Sequence, residues 1–348
     1  MTSQKRIRIA QIGMGHDHAD AALRTFCRLK DRFEVVGWCA AEGEEKRVSE
    51  CLKYVPELAE VPRMSLDELL DIPGLEAVAV ETEDYNLTRY ALAAAKRGFH
   101  IQMDKPGGVS QAEYESLLSV MKTTGKVFQT GYMYRYNPAY LALLDEMERG
   151  GLGAVYSVEA HMDCEHPAAK RAWLGSYPGG MMYYLGCHLV DLVLRLQGVP
   201  EEVHAFNTAS GFDGITAADV GFAVFRYANG VSFVKTSACE PGGFLRRQLV
   251  VCGQKGTYQL LPFERYTNVP GLQETGVRLC RSGKGWHDDG EHSVTAAVDR
   301  YEAMMTGFAD MIDGAYENPY TLEYEARLHR VLLAACGETI DYKGEIQL

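Results

Sequence analysis

The chain has 348 residues, of which 47% are hydrophobic and 24% charged, with a formal net charge of −12. Its length exceeds one ordinary hydrophobic core, so two domains are expected. The acidic balance excludes an electrostatic grip on DNA, RNA or an anionic membrane, and no apolar run approaches the roughly 20 residues that span a bilayer.

The first predicted element is a buried strand, Ile7 to Ile12, which runs into Gly13-Met14-Gly15 and a helix from Ala19 to Lys30. Strand, Gly-x-Gly and helix in that order suggest a dinucleotide site, with one glycine for the tight turn and the next for close approach to a pyrophosphate. On this reading Ile12, Gly13, Met14, Gly15 and His16 line the cofactor, and the amides of residues 14 to 18 receive the pyrophosphate. The third glycine is replaced by His18, and a plain strand-to-helix turn is the alternative. The second strand, Phe33 to Ala40, should end near a ribose-binding acid. Ala40 stands there, and Glu42 follows two residues later with no arginine beside it. NAD is therefore expected, with NADP as the alternative.

Glu44 to Tyr54 reads as a helix, and Ser65-Leu66-Asp67-Glu68 as a capping box. Ala77 to Val80 is a third strand leading to Thr82, another cofactor-lining candidate. A helix from Leu87 to Arg97 closes at Gly98. The strand Phe99 to Met103 then delivers Asp104-Lys105-Pro106 to the sheet edge. Helix Gln111 to Thr124 and strand Val127 to Thr130 complete an alternation that means a parallel sheet.

After about Tyr140 the rhythm changes. A helix to Arg149 precedes period-two strands at Val155 to Asp163, Val203 to Phe206, Val220 to Tyr227, Val231 to Ala238, Leu249 to Cys252 and Gly256 to Leu260. Asn229-Gly230 marks a hairpin. Helices Val294 to Asp313 and Leu322 to Ile340 close the chain. The fold class is α/β: a nucleotide-binding domain over 1–130, then an α+β domain over 131–348 with a large, mostly antiparallel open sheet, the last helices packing back on the body.

Gly13-x-Gly15, Asp104-Lys105-Pro106, the aromatic crossover Gly131 to Pro138 and the run Gly179 to Asp191 together resemble the glucose-fructose oxidoreductase / inositol dehydrogenase / MocA family over nearly the whole length. The resemblance implies a Rossmann domain, a second domain on an open sheet, and NAD(P)-dependent oxidation of a sugar or cyclitol hydroxyl. His18, Ala40, Asp104 and Tyr184 depart from the family pattern, the last standing in place of an aspartate in D-x-x-x-H.

Hydride transfer from a carbinol needs a base for the hydroxyl proton and donors for the developing alkoxide. Lys105, His188 and Tyr184 are the catalytic candidates, and Asp104 and Lys105 also line the cofactor. Tyr132, Arg135, His161, Asp163, Tyr184 and His188 are the substrate-binding candidates. Asp163, His161, Glu165 and His166 have no diagnostic ligand spacing, and no metal is expected. The polar loop Trp286 to His292 reads as a lid, an oligomer contact or simple solvated chain. Nine cysteines without a C-x-x-C pair, and no room for a signal peptide before Ile7, lead to a cytoplasmic expectation. Alternation on both faces of Val220 to Phe225 predicts a homodimer or homotetramer, because one sheet face needs a partner's cover. Two rival functions remain: a redox-neutral NAD-dependent glycosidase, and a non-catalytic NAD- or sugar-binding protein.

Overall fold

Short β-branched runs between amphipathic helices build the first unit. In the computed structural model, which describes residues 5–348, this unit holds the segment ending at Tyr132 together with 301–326 and 345–348. Its elements are β1 (Ile7–Ile12), α1 (Ala19–Arg28), β2 (Phe33–Cys39), α2 (Glu45–Cys51), α3 (Glu57–Glu60), α4 (Leu66–Leu70), β3 (Ala77–Val80), α5 (Leu87–Lys96), β4 (His100–Met103), α6 (Gln111–Thr124) and β5 (Phe128–Thr130). The five strands form a parallel sheet in the order β2-β1-β3-β4-β5. Every residue of β3 is buried, as a strand with helices on both faces requires. Ser65 closes the capping box with Glu68 at the start of α4, and Gly125 ends α6 in the left-handed conformation at φ 64°.

The first unit is completed from far along the chain. Gln129 Nε2 donates to the Met304 carbonyl at 3.1 Å, and Asn318 Nδ2 to the Phe128 carbonyl at 3.1 Å. Arg32 pairs with Asp310 at 2.6 Å. The helix expected from Val294 starts only at Glu302. The residues before it are strand, with Val294 opposite Gly276 and Val298 opposite Gln273, because their backbone groups find ladder partners. That helix belongs to the first unit, so 131–348 is not one continuous domain.

The second unit holds 133–300 and 327–344. It contains α7 (Pro138–Glu148), β6 (Val155–Asp163), α8 (Ala168–Trp173), α9 (Cys187–Gln197), β7 (Glu202–Ala205), β8 (Val220–Tyr227), β9 (Gly230–Ser237), β10 (Gln248–Gly253), β11 (Gly256–Leu260), β12 (Arg265–Tyr266), β13 (Leu272–Glu274), β14 (Gly276–Arg281), β15 (Glu291–Val294) and β16 (Val298–Asp299). Eight strands make one sheet in the order β15-β14-β11-β10-β6-β9-β8-β7, mostly antiparallel, with β6 and β9 parallel. Period two divides its side chains cleanly. Val158, Ala160, Met162, Ala223, Phe225 and Val234 are buried on the face that meets α9. The opposite face carries a row of rings from Phe206 through Phe222 and Phe233 to His161, with centroids 6.3, 5.5 and 5.5 Å apart. Among the described residues no helix is long and apolar enough to cross a membrane.

Candidate active site

In an open parallel sheet, ligands bind beyond the carboxyl ends of the strands, where the order reverses about β1. The glycine turn lies there. Gly13 has φ 91°, and a Cβ on it would stand 2.6 Å from the Thr82 nitrogen. A Cβ on Gly15 would stand 2.6 Å from the Glu83 nitrogen, so both glycines let the turn rest directly on the loop after β3.

The expected row of pyrophosphate-binding amides is largely engaged within the protein. The Met14 N–H donates to Glu44 Oε2 at 2.8 Å, the His16 N–H to the Glu81 carbonyl at 3.0 Å, and the His18 N–H to His16 Nδ1 at 3.2 Å. With His18 where a glycine was expected, α1 starts only at Ala19. The acid beside the turn is Glu44, which sequence reasoning missed. Its buried carboxylate also accepts from the Ala41 N–H at 2.9 Å and the Glu83 N–H at 3.2 Å. Glu42 instead points outward, 82% exposed, and pairs with Arg89. The signal lay in Gly43, whose φ of 86° folds the chain back and returns the next residue to the turn.

These residues fit the adenosine end of a dinucleotide. Both glycines leave no room for a Cβ, and Glu44 uses three of its roughly four acceptor positions, leaving one for a ribose hydroxyl.

Deeper in the same edge sits a cluster of buried ionisable groups. His16 Nδ1 lies 3.2 Å and His18 Nδ1 3.1 Å from the same oxygen, Asp104 Oδ2. The other His16 nitrogen, Nε2, is 3.6 Å from Asp84 Oδ1, and Lys105 Nζ is 3.9 Å from that same oxygen. Glu81 Oε2 stands 4.0 Å from His16 Nδ1. Burial pushes His16 down, but Asp104 and Asp84 outweigh it and hold its pKa up at about 9. Burial opposes charge on Asp104, yet His16 and His18 keep it well below the usual carboxylate range. Glu81 is raised well above that range by burial and by the charge of Asp104. Burial lowers His18.

Lys105 follows β4, only 2% exposed, with its own N–H on Asp104 Oδ1 at 2.6 Å and a cis bond to Pro106. Thr88 Oγ1 donates to the Gly107 carbonyl at 2.6 Å and fixes the loop behind it. Tyr132 ends the same unit, buried.

The remaining candidates lie in the second unit. Arg135 grips Asp191 with Nε at 2.9 Å and Nη2 at 2.8 Å, both side chains 2% exposed, so its fork serves the fold in this structure. His188, on α9, is buried edge-on to Tyr134 at 4.9 Å. Tyr184 lies in a π-helical turn, Met182–Gly186, with Trp173 at 5.5 Å, His166 at 6.0 Å and Lys170 Nζ 4.6 Å from its ring. Asp163 is fully buried against Lys235 at 3.1 Å, and His161 belongs to the aromatic row on the sheet face.

Comparison with known proteins agrees with this architecture. Residues 7–132 match the family described as an oxidoreductase family with an NAD-binding Rossmann fold, and residues 140–259 match the GFO/IDH/MocA C-terminal domain. The uncharacterized oxidoreductase YdgJ of Escherichia coli is 25% identical over 72% of this chain and 75% of its own. The scyllo-inositol 2-dehydrogenase (NADP(+)) IolW of Bacillus subtilis is 26% identical over 40% of each chain. Other curated relatives are matched over about half their length, 55% for YhhX of Escherichia coli and 44% for YteT of Bacillus subtilis. The WlbA dehydrogenase of Bordetella pertussis, solved with NADH and UDP-GlcNAcA, superposes with a TM-score of 0.75 at 19% identity, covering 95% of both chains. A family's paired domains are thus matched in order along one chain, and the chain belongs to the GFO/IDH/MocA oxidoreductase family.

Proposed function

We propose that this protein is an NAD(P)-dependent dehydrogenase or reductase acting on a hydroxyl carbon of a sugar, glycoside or cyclitol. The observation that carries the reading is Lys105: a buried lysine fixed at the carboxyl edge of β4, in the same unit as the Gly13-x-Gly15 turn. A bound oxidised nicotinamide would supply the hydride acceptor. In oxidation Lys105 Nζ, as the neutral amine, would take the hydroxyl proton as the hydride leaves the carbon, and in reduction its ammonium would return that proton to the forming alkoxide, an interaction stronger in the transition state than before it. Asp84 orients the ammonium, and Asp104 and Thr88 fix the backbone on either side of it. Burial excludes competing water. Glu44 would accept from a ribose hydroxyl and disfavour a phosphate there, which supports NAD over NADP. Relatives named for inositol and D-xylose oxidation support the substrate class. We infer a homodimer or homotetramer formed through the ring-bearing sheet face, and a cytoplasmic setting.

Incubation of the purified protein with NAD or NADP and a panel of sugars, glycosides and cyclitols should release reduced cofactor with at least one substrate. Titration of NADH fluorescence should show micromolar or tighter binding, lost in Gly15→Val, whose branched Cβ collides with the loop after β3. Equal affinity in wild type and variant would remove the dinucleotide from this turn. Product formation without net reduced cofactor would favour the redox-neutral glycosidase.

A further inference from the structure

Within the first unit, the chain ends after three strands converge on His16. His16 and His18 leave β1, Glu81 and Asp84 leave β3, and Asp104 leaves β4. The reacting nitrogens and Asp104 Oδ2 all lie within 4.8 Å of one another. Their N···O separations of 3.2 and 3.1 Å compare with the ~3.3 Å between ligand atoms that tetrahedral bonds of about 2.0–2.1 Å impose. A second observation points the same way. Glu81 is fully buried, and neither of its carboxylate oxygens has a hydrogen-bond partner, yet Oε2 sits 4.0 Å from His16 Nδ1. An orphaned buried carboxylate is costly unless a cation or proton meets it. A third concerns the far side of His16. Its Nε2 faces Asp84 Oδ1 at 3.6 Å, the carboxylate–imidazole arrangement that orients a ligating histidine from behind.

We propose that His16 Nδ1, His18 Nδ1 and Asp104 Oδ2 form a binding site for one divalent transition-metal ion of the zinc class, with Glu81 standing by as a nearby acid. Two imidazoles and a carboxylate suit zinc, cobalt or iron better than magnesium or calcium, which favour all-oxygen shells. Asp84 is the supporting acid behind His16, and it links the site to Lys105 at 3.9 Å. Binding would displace the protons that otherwise hold the cluster together. The ion would also tie the ends of β1 and β4 to one another. The proposal rests on the cluster alone and stands whether or not the chain oxidises a sugar.

The test uses the full chain, purified without metal-affinity resin from zinc-supplemented medium. Elemental analysis should find about one zinc per chain. Chelated protein reconstituted with cobalt(II) should show the visible absorption of a tetrahedral nitrogen–oxygen site, and adding zinc should raise its Tm. His18→Gln, at the most accessible ligand, should abolish the cobalt spectrum while circular dichroism stays native. Asp84→Asn should weaken zinc roughly 10–100-fold, the range for a supporting partner. Wild-type protein with no zinc, no cobalt spectrum and no rise in Tm would overturn the proposal and leave an imidazolium held by carboxylates. An unchanged spectrum in His18→Gln would overturn this ligand set.

Discussion

The two units handle buried charge in opposite ways. In the second, charges close into compact groups: Arg135 with Asp191, and Glu264 shared by Arg247 at 2.8 Å and by Arg300. In the first, Glu81, Asp84 and Asp104 crowd round two histidines and one lysine, and burial beside Asp104 raises the Glu81 carboxyl well above its usual range. A matched buried pair gains little over apolar packing but is costly to break. The second unit's charges hold architecture in closed groups, whereas the first unit gathers its ionisable groups round one histidine at the sheet edge.

Breaking the matched pair should give the largest effect. Asp191→Ala leaves the Arg135 guanidinium buried and alone, and should cost about 3–5 kcal/mol of stability in urea unfolding. A loss under 1 kcal/mol would mean that Arg135 is free to turn to another partner. Lys105→Ala should do the reverse. Turnover on an identified substrate should fall at least ~10²-fold, the scale of a positioned acid–base or donor group, with a much smaller change in NADH affinity. Near-wild-type turnover would remove Lys105 from the chemistry.

The two sheets offer a further contrast, since the first is covered on both faces and the second on one. Phe233→Glu, in the middle of the ring-bearing face, should shift the light-scattering mass from an oligomer towards the 38.6 kDa of one chain. A wild-type mass already at one chain would leave that face without a partner. The smallest effect concerns His100, at the start of β4. Burial, then Lys126, lowers its pKa to about 4, and its Nδ1 accepts from the Val127 N–H at 3.0 Å. The unfolded chain, with a histidine pKa near 6.5, therefore takes up a proton first as pH falls. Its contribution is complete above about pH 6.5 and is lost as pH drops towards 4. His100→Asn keeps an acceptor without titrating and should flatten that part of the Tm–pH curve. Identical curves would assign the acid loss to other groups.

Much of this was legible in the sequence because it is local. The strand into Gly13-x-Gly15, the Ser65–Glu68 capping box, the left-handed Gly125 and the lysine ending β4 each follow from a few neighbouring residues. What was missed depends on distance. Glu44 reaches the turn only because Gly43 reverses the chain. Asp84 and Glu81 meet His16 only after β3 is laid beside β1, and no spacing along the chain joins positions 16, 81, 84 and 104. The strands between Arg265 and Asp299 are short, half exposed and weakly alternating, so their pairing is set by neighbours rather than by their own pattern.

The first unit's reliance on late segments has a consequence for the order of events during synthesis. Leu322, Ala326, Ile346 and Leu348 join the same apolar cluster as Val78, Val80 and Ile101, and Arg32 waits for Asp310. A domain whose sheet is complete in sequence by Thr130 thus lacks part of its core until the segments around Leu322 and Leu348 have been made. Domains usually fold in turn from the N-terminus as they are made. Here the nascent sheet would remain incompletely covered until residues 322–348 have emerged and closed over it.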